Sequence, residues 1–203
     1  MIAASPEHPG GSGAGGPGPA ASRSRVGTLA NALTMVRLVA APLAALAVFR
    51  ANHEMALGLF TVAVATDLAD GPVARRRGES SALGGLLDHA TDATFVSLGL
   101  LACAGRELVP LALPFLVAAA FLQYTLDSRA LRGQVLRASA LGRWNGIAYF
   151  VLLGVPVVRD GLGIGWPANG LVAGIGWALV ASTVVSMGLR ARAWLGVRAA
   201  AGR

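Results

Sequence analysis

Charge is scarce in this 203-residue chain: 13% of its residues are charged, and lysine is absent, so all 17 basic residues are arginine. With 55% hydrophobic residues and a mean hydropathy of +0.62, there is too little polar surface for a soluble domain. The composition points instead to several membrane-crossing helices. Cysteine is limited to Cys103, which excludes an internal disulfide and reads as a small buried hydrophobe. Acidic residues number ten, leaving a net charge of +7 and a pI near 11.3. Such a pI raises nucleic acid as a partner, but the arginines are scattered at the ends of apolar runs and form no phosphate-binding stripe, a pattern explained by membrane topology. The first 22 or so residues lack any apolar period and are rich in Gly, Ala, Pro and Ser. Residues 1–25 therefore read as a disordered tail, and no basic stretch leads there into the short apolar core of a signal peptide.

Six apolar runs follow, at about 29–49, 55–75, 83–104, 109–126, 141–158 and 168–189. A run of about 20 residues spans roughly 30 Å of hydrocarbon as a helix. The expected fold is thus an all-α integral membrane domain over residues 26–203 with six transmembrane helices. An even number of spans puts both termini on one side. Arg23, Arg25, Arg75 to Arg77, Arg129, Arg132, Arg137, Arg143, Arg190, Arg192, Arg198 and Arg203 share that side. The opposite loops hold only Arg50, Arg106 and Arg159, each near an acid (Glu54, Glu107, Asp160). By the positive-inside rule both termini are cytoplasmic, at a cytoplasmic (inner) membrane. Past Arg190, the stretch 192–197 reads as an interfacial helix anchored by Trp194.

Four of the ten acids are the aspartates of one stretch, Asp67, Asp70, Asp88 and Asp92. The first two are three apart and the last two four apart, so on helices each pair faces one way. Arg75 to Arg77 and the turn at 78–81 separate the pairs. Antiparallel helices bring both to the same membrane face, with Asp67 roughly 12 Å deeper than Arg75. A carboxylate at a helix centre in lipid costs about 3 kcal/mol, so four together call for a compensating partner. For clustered carboxylates and phosphate chemistry that partner is a hard divalent cation such as Mg²⁺. In the first span Asn31, Thr34 and Arg37 recur every three residues, and their shared face is expected to line a polar cavity with the aspartates.

Written out, the stretch is D-x2-D-G-x2-A-R-x8-G-x3-D-x3-D, filled by Asp67, Asp70, Gly71, Ala74, Arg75, Gly84, Asp88 and Asp92. It resembles the signature of the CDP-alcohol phosphotransferase family, membrane enzymes of phospholipid synthesis, at every position. The resemblance implies transfer of a phosphatidyl group from CDP-diacylglycerol to a polar alcohol with release of CMP. It also implies metal (Mg²⁺ or Mn²⁺) at Asp67, Asp70 and Asp88, Asp92 as general base and, where two metals bind, a further ligand, and a homodimer. The residue types suit those roles. Gly71 and Gly84 let a nucleotide approach the backbone, Ala74 keeps that face low, and Arg75 offers a fork for phosphate oxygens. Asp92, one turn from Asp88, is placed to take the proton of an acceptor hydroxyl. Arg143, in L-G-R-W-N-G, and Arg37 are candidates for the acceptor's phosphate. His89 points about 100° away from Asp88 and reads as a helix-contact residue.

The N-x2-T-x2-R face resembles the phosphatidylglycerophosphate synthase branch, which favours glycerol-3-phosphate as acceptor, with an inositol compound or serine next. The reversed arrangement, CDP-choline or CDP-ethanolamine with diacylglycerol, is the alternative within the family. Membrane prenyltransferases also hold Mg²⁺-diphosphate between aspartate-rich helices, but they are longer and need no G-x2-A-R between the acid pairs. A divalent-cation transporter would need a second set of acids midway or on the far side, and the remaining acids lie in loops or the tail.

Overall fold

The computed structural model describes residues 29–77, 82–130 and 140–201, with side chains over 34–68, 87–126 and 140–195. Expectations for the 1–25 tail, the turn at 78–81 and the polar residues 131–137 lie outside the described residues. Among the described residues the chain forms six α-helices and no strand: α1 (Leu29–Phe49), α2 (His53–Arg77), α3 (Ala82–Gly105), α4 (Ala112–Ala130), α5 (Ala140–Gly161) and α6 (Asn169–Ala201). Each coincides with an expected apolar run to within a few residues, except at the last. There α6 continues unbroken past Arg190, and the expected interfacial helix at 192–197 is its last turns. Apolar content sets where lipid ends. It does not end a helix whose next residues, arginine, alanine and leucine, are good helix formers.

Two helices, Ala140–Gly161 and Asn169–Leu195, are long and apolar enough to cross a membrane, and shorter apolar helices cover Thr34–Phe49 and Ala112–Leu126. These apolar helices make the chain a membrane-associated protein. Large apolar side chains face outward on several of them, including Val39 and Phe49 of α1, Phe115 and Leu122 of α4, Val151 of α5 and Trp177 of α6.

The helices pack in a ring. α1 lies against α2 and α3, α3 against α4, α4 against α6, α6 against α5, and α5 closes onto α2 while also touching α3. Small residues allow the close approaches: Ala40, Ala41, Ala44 and Ala47 of α1 are buried. At Gly154 of α5 a β-carbon would stand 2.8 Å from Phe60 Cζ, and at Gly99 of α3 one would stand 2.6 Å from Leu153 Cδ2. The rings of Phe60, Phe95 and Phe150, with centroids 5.3 to 6.5 Å apart, join α2, α3 and α5. Between α5 and α6, Ser182 donates to Asn145 Oδ1 at 2.7 Å. Thr183 gives its proton to Leu179 O, so Tyr149 is the donor in the Tyr149–Thr183 hydrogen bond.

One end of the bundle is tied by Asp160, at the close of α5. It accepts from Arg159 Nε at 2.8 Å and from Arg106 Nη1 at 3.5 Å, and His53 Nδ1 lies 3.8 Å away. Two of the three arginines of the sparsely charged loops, Arg106 and Arg159, thus converge on one carboxylate. His53 and Asp67 are 14 residues apart on one helix, which puts this cluster roughly 20 Å from the aspartate stretch.

Candidate active site

The centre of the other half is a guanidinium. Arg37 sits mid-way along α1, where that helix is pressed between α2 and α3, and only 2% of its surface is exposed. Thr34, one turn earlier on the same face, is buried as well. A buried charge is tolerable only when paired and hydrogen-bonded. The partners come from the two neighbouring helices: Arg37 Nη1 donates to Asp67 Oδ1 of α2 at 2.9 Å, Nη2 to Asp88 Oδ1 of α3 at 2.9 Å, and Nη1 also pairs with Asp92 Oδ1. The four-residue spacing of Asp88 and Asp92 is what lets one side chain reach both.

The three carboxylates are 46%, 36% and 39% exposed, so they are open on the side away from the arginine. One oxygen from each lies within 4.8 Å of the others, a grouping that can hold a metal ion. The all-oxygen donor set suits a hard cation such as Mg²⁺.

A cavity of about 690 Å³ opens beside the aspartates, with all six helices contributing to its wall. Arg37, Asp67 and Asp92 line one end. Phe95, Val117, Phe121, Ile147, Phe150 and Val151 supply an apolar wall. Arg143 at the start of α5 and Arg190 of α6 bring two further positive charges to the lining. Arg190 lies over the ring of Tyr124, 5.2 Å from its centroid, in a cation–π contact, and His89 meets the edge of the same ring at 6.4 Å. Gln123 is held from α6 by the carbonyl of Met187 at 3.2 Å.

The structure therefore brings together Asp67, Asp88, Asp92, Arg37 and Arg143 of the residues expected from the sequence. Asp70, Gly71, Ala74, Arg75 and Gly84 fall within α2 and α3, but their side chains lie outside the described residues, as does that of Asn31. Arg37 is engaged by the aspartates. Sequence reasoning missed Arg190, Tyr124, Gln123 and Asn145 as cavity residues. Arg190, at the end of an apolar run, carries the same local signal as a topology-setting arginine. Tyr124, the sole tyrosine of α4, was the available hint, because a polar-tipped ring in an apolar helix asks for a partner.

Comparison with known proteins bears on this geometry. The family model described as CDP-alcohol phosphatidyltransferase matches residues 27–187, from before Arg37 to beyond Ser186. The chain belongs to that family. Membership agrees with the signature that supplies the aspartates. Among named relatives of this family, a probable phosphatidylglycerophosphate synthase of Mycobacterium tuberculosis is 32% identical over 140 residues, covering 64% of this chain and 63% of that protein. A cardiolipin synthase (CMP-forming) of Streptomyces coelicolor is 30% identical over 161 residues, covering 76% of this chain and 74% of that protein. The rat cardiolipin synthase (CMP-forming) is 33% identical over 91 residues, covering 44% of this chain, and the match spans only 30% of the rat protein's length. No solved structure matches the chain significantly.

Proposed function

We propose that the protein transfers a phosphatidyl group from CDP-diacylglycerol to a small polar alcohol bearing a phosphate, releasing CMP. The observation that carries this reading is the trio Asp67, Asp88 and Asp92, with oxygens within 4.8 Å of one another, of which Asp67 and Asp92 line a large cavity with an apolar wall and two further arginines. In the reaction the acceptor's hydroxyl oxygen forms a bond to the phosphatidyl phosphorus. The bond from that phosphorus to the oxygen of CMP breaks, and the hydroxyl proton passes to a carboxylate. Asp92 is the proposed base, within reach of the cavity. Asp67, Asp70 and Asp88, with Asp92 as a further ligand, are proposed to hold Mg²⁺ or Mn²⁺. That ion would neutralise charge developing on the leaving CMP.

Gly71, Ala74, Arg75 and Gly84 are the proposed cradle of the cytidine diphosphate. Arg143 is proposed to take the acceptor's phosphate as a planar fork, and Arg37 would reach it only by giving up a carboxylate. Glycerol-3-phosphate or an inositol compound is the favoured acceptor, supported by the name of the mycobacterial relative. A second reading, a lipid acceptor, is favoured by the apolar wall of the cavity and by the relatives named cardiolipin synthase. The proposal includes six membrane crossings, both termini and the site on the cytoplasmic side, and a homodimer.

The test is CMP release by the purified chain with CDP-diacylglycerol and Mg²⁺, offering glycerol-3-phosphate, inositol phosphate, serine and phosphatidylglycerol singly. Glycerol-3-phosphate is expected to give the fastest release, and Asp92→Asn to slow it by about 10²–10⁴-fold. Release with phosphatidylglycerol alone would select the second reading. No CMP with any acceptor would contradict both.

A further inference from the structure

Arg37 is more deeply buried than any other charged side chain among the described residues, and it touches one oxygen of a different aspartate at each contact: Oδ1 of Asp67, of Asp88 and of Asp92. The carboxylates stay 36–46% exposed on the side away from it. The arrangement has a closed floor and an open face. We infer that Arg37 is a fixed inner wall of the metal site, a resident cation that sets the site's charge and keeps it assembled when no metal is bound. The inference rests on the metal reading of the aspartates proposed above.

Charge arithmetic supports it. The three aspartates that touch Arg37 carry −3 when ionised and the guanidinium offsets one unit of it, while Asp70, the fourth proposed ligand, adds a further negative charge. Without the arginine, three carboxylates whose oxygens lie within 4.8 Å of one another would repel in a poorly hydrated setting. With it, the three carboxylates are held together before an ion arrives. Departure of Arg37 on metal binding is disfavoured because a guanidinium only 2% exposed would give up all three carboxylate partners. The exposed parts of the three aspartates are then what would hold the ion.

Arg37 then has two opposing effects on metal affinity. It pre-positions the ligands, which favours binding, and it repels a divalent ion across a few ångströms, which weakens it. The second is larger, because carboxylates close on an incoming ion through its own field, whereas the repulsion of a fixed unit charge in a low-dielectric site persists. Arg37 is accordingly a positioning residue that trades affinity for a metal-free site that remains intact.

The experiment is a Mn²⁺ titration followed by electron paramagnetic resonance, on the full chain in nanodiscs after stripping with EDTA. Arg37→Gln is expected to bind Mn²⁺ at least about tenfold more tightly than wild type, and Arg37→Lys, which keeps the charge, within about threefold of it. Thermal unfolding supplies the second readout. In EDTA, Arg37→Gln should melt well below wild type, and Mn²⁺ should close most of that gap. Should Arg37→Gln unfold without metal, it is prepared with Mn²⁺ and stripped by rising EDTA, and the affinity ratio is read from the concentration required. Equal or weaker Mn²⁺ binding by Arg37→Gln, or a melting deficit that Mn²⁺ leaves unchanged, would overturn the role given to Arg37. Absence of Mn²⁺ binding in every variant would overturn the metal reading itself.

Discussion

At the scale of single residues, the site separates its charges by depth. Arg37 is enclosed, the three aspartates are half-open, and Arg143 stands at the cavity edge. The enclosed arginine is committed to carboxylates, so the arginine available for an acceptor's phosphate is Arg143. Arg190, against Tyr124, is its nearest analogue in the lining. A charge-assisted fork to phosphate is lost when guanidinium becomes amide. Arg143→Gln is therefore predicted to raise KM for glycerol-3-phosphate by about tenfold or more, corresponding to a charged hydrogen bond of about 1.5–3 kcal/mol. The KM for CDP-diacylglycerol should stay within about twofold. Steady-state CMP release, varied in one substrate at a time, checks this. Equal effects on both KM values would instead mark Arg143 as a helix anchor.

At the scale of elements, the site depends on helices approaching closely enough for one α1 side chain to reach both α2 and α3. The same closeness governs the core beneath it. Phe60 of α2 lies against Gly154 of α5, flanked by Phe95 and Phe150, and a methyl group at Gly154 would meet its ring at 2.8 Å. The ring is buried against Phe95 and Phe150. Gly154→Ala is predicted to destabilise the fold by about 1–3 kcal/mol, despite alanine's better helix propensity, and to lower the melting temperature in detergent. A rise in melting temperature would show that α2 and α5 can part at no cost.

What the sequence disclosed follows the same physical division. Helix α1 could be placed from 29 to 49 because its ends coincide with changes in polarity. The end of α6 could not, because backbone hydrogen bonding runs on through Arg190 and Trp194 after the apolar run has ended. Asp88 and Asp92 announced a common face through a spacing of four. The pairing of Arg37 with Asp67, 30 residues away, and with Asp92, 55 residues away, has no local trace. That the face of Thr34 and Arg37 meets the aspartates was legible, but the individual ion pairs were not. Tyr124 and Arg190 met for the same reason, through the packing of α4 on α6.

At the scale of the whole molecule, the bundle has two ends of different character. Around Asp160, Arg106, Arg159 and His53 close one end with a compact set of ion pairs, and the neighbouring void is only about 10 Å³. Towards the other end the aspartates and a cavity of about 690 Å³ leave the bundle open. One end fastens the loops and the other is open, an asymmetry that suits the proposed enzyme working at one membrane face. A transport path would instead require polar groups through the full depth, and the apolar core of Phe60, Phe95, Leu100 and Leu153 intervenes. The most direct test of the central claim, that the aspartate cluster works as a metal-dependent phosphatidyl-transfer site, is CMP release in vesicles before EDTA, after EDTA, and after Mg²⁺ is restored. The account predicts a loss of at least about 100-fold on chelation and recovery on adding Mg²⁺. Release that continues undiminished in EDTA would contradict it.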